Sequence, residues 1–202
     1  MTGRAAAGPA AGERAAAAGP AVSERALAAE IIGLLTERGQ SAAVAESLTG
    51  GLLAAALTSI PGASAAFRGG VVAYATDLKD TVLGVPAGLL GRHGAVHPDV
   101  AAAMAAGVRR LMGATVGAAT TGVAGPDPAD GQPVGTVYIA VITGPGAAEP
   151  GAGGPQLAGT RPGGPCTAVR PLALTGSRDE IRRATVTQCL RLLLDRLREE
   201  SG

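Results

Sequence analysis

The chain has no tryptophan and no asparagine, and its 202 residues include one phenylalanine (Phe67), two tyrosines (Tyr74, Tyr138) and one lysine (Lys79). Nucleic-acid readers carry a basic face with aromatic stacking platforms. Here 17 basic residues face 16 acidic ones for a net charge of +1, with no dense basic block, which argues against that class. The two cysteines, Cys166 and Cys189, match neither a disulfide framework nor a zinc spacing. His93 and His97 stand four apart, but two ligands are too few for a metal site and Gly94 interrupts the helix they would need. No metal is assigned. No apolar run reaches the ~18 residues that span a bilayer, and the first 22 residues lack the apolar stretch of a secretory signal. The expectation is a cytoplasmic protein with neither membrane nor nucleic acid as partner.

What is present describes a folded domain. Apolar residues make up 47% and charged residues 16%, too apolar for a disordered chain. Residues 1–22 are Ala, Gly and Pro with little else and are expected to form a disordered extension. Residues 23–202 are expected to form one domain, with a flexible Gly/Pro-rich insertion at 144–165. Sixteen of the 17 basic residues are arginine, a bias that suggests drift toward GC-rich codons. An exposed lysine yields cheaply to arginine under such drift. The survival of Lys79 therefore reflects either chance or chemistry that a guanidinium cannot do, since it does not lose its proton.

Helical and strand signals alternate along the chain. SERALAAEIIGLLTERG has a Ser cap, an apolar face through Leu27, Ile31, Leu34 and Leu35, and Gly39 as its stop. The pattern then predicts a strand over 41–45, a helix over 52–60, a strand over 69–74 and a short helix ending at Gly84. After these come a helix over 97–113, strands over 114–121, 134–143 and 167–176, and a last helix opened by the capping box S-R-D-E. Pro171 places the final strand at an edge or a bulge. The fold class is α/β: a layered single domain whose mixed or mostly parallel sheet is flanked by helices.

Four segments carry candidate chemistry. In A-E-S-L-T-G-G (45–51), Ser47 sits where a strand runs into a helix, with Thr49, Gly50 and Gly51 behind it. It either caps the helix or is a nucleophile beside helix-start amides that hold an anion. Tyr74 and Lys79 lie at a strand end and one helical turn later; Lys79 either pairs with Asp77 or Asp80 at the surface or is desolvated and basic enough to take a proton from serine. T-T-G-V-A-G-P-D (120–127) ends another strand, and Thr121 and Gly122 offer a hydroxyl and free backbone. Arg178 opens the last helix, either clamping an anion or pairing with Asp179 or Glu180.

Taken in order and spacing, AESLTGGLLAAALTSIPGASAAF, VVAYATDLKDTVLGV, RHGAVHPDVAAAMAAGV and TTGVAGPDPADGQPVGTVYIAV closely resemble the CinA C-terminal domain family, from about residue 24 to 198. Its enzymatic members are nicotinamide-nucleotide amidases. The resemblance implies hydrolysis of nicotinamide mononucleotide to nicotinate mononucleotide and ammonia, with that small nucleotide as partner and a homodimer or larger homo-oligomer as assembly. It casts Ser47 as nucleophile, Lys79 as base and Tyr74 as a neighbouring catalytic group, with Thr121 and Arg178 on substrate-binding positions. The residue after the serine, commonly cysteine in the family, is Leu48 here, and the GPDPADGQP loop is less glycine-rich than usual. Amide hydrolysis needs a nucleophile, a base that returns its proton to ammonia, and donors for the oxyanion. The amides near Thr49, Gly50 and Gly51 are the expected donors, and this route calls for no metal and no cofactor. The alternatives are a nucleotide-binding relative without turnover and an amidase for another small amide.

Overall fold

The computed structural model describes residues 23–144 and 166–200. The expectations for 1–22 and for all but the first residue of 144–165 lie outside the described residues. Among the described residues, six α-helices and five strands follow one another as α1 (Glu24–Glu37), β1 (Ala42–Glu46), α2 (Leu52–Thr58), β2 (Phe67–Val72), α3 (Thr76–Thr81), α4 (Ala87–His93), α5 (Pro98–Leu111), β3 (Val116–Gly122), β4 (Thr136–Thr143), β5 (Cys166–Ala173) and α6 (Arg178–Glu199).

The strands form one mixed sheet in the order β2-β1-β3-β4-β5. β2, β1 and β3 run parallel, and β4 and β5 add antiparallel pairs. The central strands β1 and β3 are short, small-residue segments buried on both faces, as strands sandwiched between helices must be. Alternate residues feed two cores. Val44, Val116, Ala118, Val137, Ile139 and Val141 pack under α1, α2 and α6. Ala43, Ala45, Ala119, Ala140 and Ile142 pack under α5 and the segment carrying Leu83 and Val85. Pro171 lies on the edge strand β5, opposite Tyr138, where its missing N–H leaves no inner ladder bond unmade.

Most local signals are realised as read. Ser23 caps α1 by accepting from the Ala26 amide, and the Ser177–Glu180 capping box opens α6 in both directions. His97 caps α5, its imidazole accepting from the Asp99 amide, and so serves a helix entry. Two readings need correction. β2 spans Phe67–Val72, so Tyr74 stands two residues beyond the strand. The helix α4 was not read from the sequence, because Gly88 and Gly91 dilute it and no residue in it is fully buried. Close approach of α5 depends on Gly107: a Cβ there would lie 2.0 Å from the Leu83 carbonyl oxygen.

Candidate active site

Because β2, β1 and β3 are parallel, their carboxyl ends meet at one side of the sheet, where ligand sites of open α/β sheets form. Ser47 follows β1, Tyr74 follows β2, and Thr121 and Gly122 end β3. The loop after β3 and the start of α6 close over them. The result is a cleft of about 250 Å³ lined by Ser47, Tyr74, Lys79, Thr121, Gly122 and Arg178, and also by Leu48, Asp127 and Asp130. Six of the nine residues singled out in the sequence therefore share one cavity.

Lys79 is 1% exposed. Its Nζ donates to the carbonyls of Ala73 (2.8 Å) and Tyr74 (3.4 Å), not to Asp77 or Asp80. Burial lowers its pKa from the ordinary lysine value, and the charges of Asp130 and Asp77 oppose that shift. A lysine in this setting gives up its proton more readily and becomes available as a base.

Ser47 is 9% exposed, and its hydroxyl makes no hydrogen bond among the described residues. It does not cap α2. That task falls to Glu46, a buried residue whose carboxylate accepts from the amides of Gly51 (3.0 Å), Leu53 (3.1 Å) and Ala54 (2.8 Å). The negative carboxylate also suits the positive end of the helix. The serine hydroxyl is thereby left for other work.

Thr49, Gly50 and Gly51 do not line the cleft. The Thr49 hydroxyl is buried and hydrogen-bonded to the Thr120 hydroxyl at 2.8 Å. The Gly50 amide donates to the Ser47 carbonyl, and the Gly51 amide is taken by Glu46. Neither glycine amide is available to a ligand, so of the three expected oxyanion donors Gly50 and Gly51 are already engaged, while the Thr49 amide has no partner among the described residues.

Tyr74 is 59% exposed at the rim, and its hydroxyl accepts from Arg178 at 2.8 Å. Arg178 also donates to the Gly125 carbonyl, tying the start of α6 to the loop after β3, and pairs with neither Asp179 nor Glu180. The Thr121 hydroxyl donates to the Ala95 carbonyl at 2.7 Å. Gly122, at φ 157°, allows β3 to lie against β4, since a Cβ would fall 2.6 Å from the Thr136 oxygen.

Sequence reasoning missed three charged residues here. Glu46 is a lone carboxylate at the end of an apolar strand, a signal available in the sequence. Asp130 accepts from the Ala95 amide at 2.7 Å and faces the cleft. Arg182, one turn after Arg178, donates to the carbonyls of Leu48 and Thr49, both at 3.0 Å. Neither cysteine offers a rival nucleophile in this cleft. Cys189 is fully buried, and burial together with the Glu46 charge pushes its thiol up to about 12. Among the described residues no group of three His, Cys, Asp or Glu is arranged to hold a metal, and no helix is long and apolar enough to cross a membrane.

The CinA C-terminal domain profile matches residues 24–151. A CinA-like protein of Frankia casuarinae is 50% identical over 163 residues, which cover 81% of this chain and 33% of that protein. A putative competence-damage inducible protein of a Geobacillus species is 44% identical, covering 82% of this chain and 35% of its own length. The chain thus spans about a third of the length of these curated relatives. Among solved structures, a CinA superfamily protein of Klebsiella pneumoniae superposes with a TM-score of 0.74 at 28% identity, covering 88% of this chain and 99% of that one. The competence/damage inducible protein CihA of Agrobacterium tumefaciens gives 0.72 at 34% identity, covering 85% and 94%.

Proposed function

The chain belongs to the CinA C-terminal domain family, and on that premise we propose that it is an amidohydrolase. Its proposed reaction deamidates nicotinamide mononucleotide to nicotinate mononucleotide and ammonia through Ser47 and Lys79. The observation that carries this reading is a buried lysine of lowered pKa lining the same cleft as a serine whose hydroxyl makes no hydrogen bond among the described residues.

In the proposed cycle, neutral Lys79 takes the proton from Ser47 as Oγ bonds to the carboxamide carbon and the carbonyl π electrons move onto oxygen. The tetrahedral intermediate then collapses, the C–N bond breaks, and the Lys79 proton leaves with ammonia. Water, deprotonated by Lys79, attacks the resulting ester; the C–O bond to Ser47 breaks, and the serine regains its proton. Tyr74 takes part through its carbonyl, which holds Nζ, and Arg178 offers its remaining N–H groups to the nucleotide phosphate.

Purified protein given nicotinamide mononucleotide is expected to release ammonia. Ser47→Ala is expected to bind the nucleotide but keep less than about a hundredth of the rate, since losing a covalent nucleophile costs far more than that in enzymes of this type. A variant above that level rules out Ser47 as nucleophile. Binding without ammonia from the unaltered chain favours a non-catalytic nucleotide-binding protein, and release only from other amides in a panel moves the substrate.

A further inference from the structure

Two amides beside the serine are left without partners by a device the reaction itself does not name. The chain from Ser47 to Ala54 is held at every other point. The Ser47 amide donates to Thr120, the Gly50 amide to Ser47 and the Leu52 amide to Thr49, while Glu46 takes those of Gly51, Leu53 and Ala54. Only the N–H groups of Leu48 and Thr49 donate to nothing among the described residues. From the opposite side Arg182 reaches in from α6, and its Nε and a terminal nitrogen grip the consecutive carbonyls of Leu48 and Thr49 at 3.0 Å each. Its other terminal nitrogen lies 3.4 Å from Asp179, which steadies the fork.

In a trans peptide plane the carbonyl and the following N–H point in opposite directions, and the link from Leu48 to Thr49 is trans. Holding the Leu48 carbonyl on Arg182 therefore turns the Thr49 N–H to the far side. Leu48 itself lines the cleft. A backbone N–H directly after a nucleophilic serine is well placed to receive the oxygen of the group that serine attacks.

We propose that the amides of Leu48 and Thr49 form the oxyanion hole and that Arg182 is a positioning residue for it: through the Leu48 carbonyl it fixes the peptide plane that carries the Thr49 N–H, while the Gly50 amide holds the Ser47 carbonyl and with it the plane that carries the Leu48 N–H. This rests on the Ser47 amidase reading. As Oγ bonds to the carboxamide carbon, the charge that gathers on the carbonyl oxygen is met by these two N–H groups and dispersed again when ammonia leaves. Arg182 touches neither substrate nor reacting atoms. Its effect falls on the transition state and not on nucleotide binding.

The test compares Arg182→Leu, Arg182→Lys and, as a control, Arg183→Leu at an exposed neighbouring position. Three quantities are read: kcat and KM for nicotinamide mononucleotide, the rate at which a fluorophosphonate labels Ser47, and the melting temperature. Loss of oxyanion donors typically lowers kcat by about 10²–10³. Arg182→Leu is expected to lose at least ~100-fold in kcat and a comparable factor in labelling, with little change in KM. Arg182→Lys, which reaches one carbonyl at a time, should recover part of both rates, and it carries the test if the leucine variant does not fold. Arg183→Leu should match the unaltered chain. A folded Arg182→Leu with unchanged kcat and labelling, or a loss confined to KM, overturns the proposal. If the unaltered chain labels at Ser47 but releases no ammonia, the substrate reading fails while the labelling rates still decide the role of Arg182. If it neither labels nor turns over, both fall.

Discussion

Lys79 loses proton affinity to burial, while Asp130 and Asp77 work against that loss. For a base the sign is simple. The neutral fraction of Lys79 grows as pH rises, so activity should climb along a limb set by its pKa, below the ordinary lysine value. Asp130→Asn removes one of the charges that raise that pKa, while its amide oxygen can still accept from Ala95. The limb is therefore expected to move to lower pH in a kcat/KM profile; a limb that stays put or moves up contradicts the assignment of Lys79. The singular place of this residue was marked in the sequence by its solitude among sixteen arginines. Its partners were not. Asp77 and Asp80 are its neighbours in sequence, yet Nζ turns inward to the backbone of the segment leaving β2. Arg178 repeats the lesson: nearby carboxylates suggested local pairing, and the fold instead brings Tyr74 across 104 positions of sequence.

Among the elements, α2 shows how a short helix is made to serve a site. Seven residues are too few to hold a helix without help, and Glu46 supplies it by accepting three amides from inside the protein. Glu46→Gln removes the charge and sets an NH₂ group against backbone donors. It should cost roughly 1.5–3 kcal/mol in urea unfolding, the usual scale for buried hydrogen bonds to a charged group. A change below about 0.5 kcal/mol would contradict this role. Helix α5 makes a second, opposite-signed test. Propensity alone says that Gly107→Ala stabilises an interior helical position by ~1 kcal/mol. The Leu83 carbonyl lies 2.0 Å from where that methyl would sit. Overpacking should win, destabilising the protein by about 1–3 kcal/mol, and a rise in melting temperature would show that α5 can shift away. Caps and stops were readable because they depend on residues within one turn. The packing of Gly107 on Leu83 joins positions 24 apart, and α4 has too few buried residues to leave a periodic trace.

For the whole molecule, the alternation of helices and strands specified an α/β layered domain, and the small-residue runs of β1 and β3 marked the buried centre of its sheet. The switch from parallel to antiparallel at β4 left no such mark. The loop between β3 and β4 is longer than a tight hairpin, and its Asp130-Gly131 turn closes only a small Ala129–Gln132 bridge within the loop instead of joining the two strands, so a mostly parallel sheet fitted the same string. What the topology achieves is to bring the ends of three parallel strands, and with them Ser47, Tyr74, Lys79 and Thr121, to one cleft. The central claim is that Lys79 must be neutral to take the proton of Ser47, and Lys79→Arg tests it most directly. A guanidinium keeps its charge at every working pH. Its bulk in a fully buried position should lower stability by about 1–3 kcal/mol without unfolding the domain. Ammonia release from nicotinamide mononucleotide by the folded variant is predicted to fall at least ~100-fold, the usual worth of a positioned base, and the rising pH limb to vanish. Near-normal turnover with arginine at this position would contradict the account.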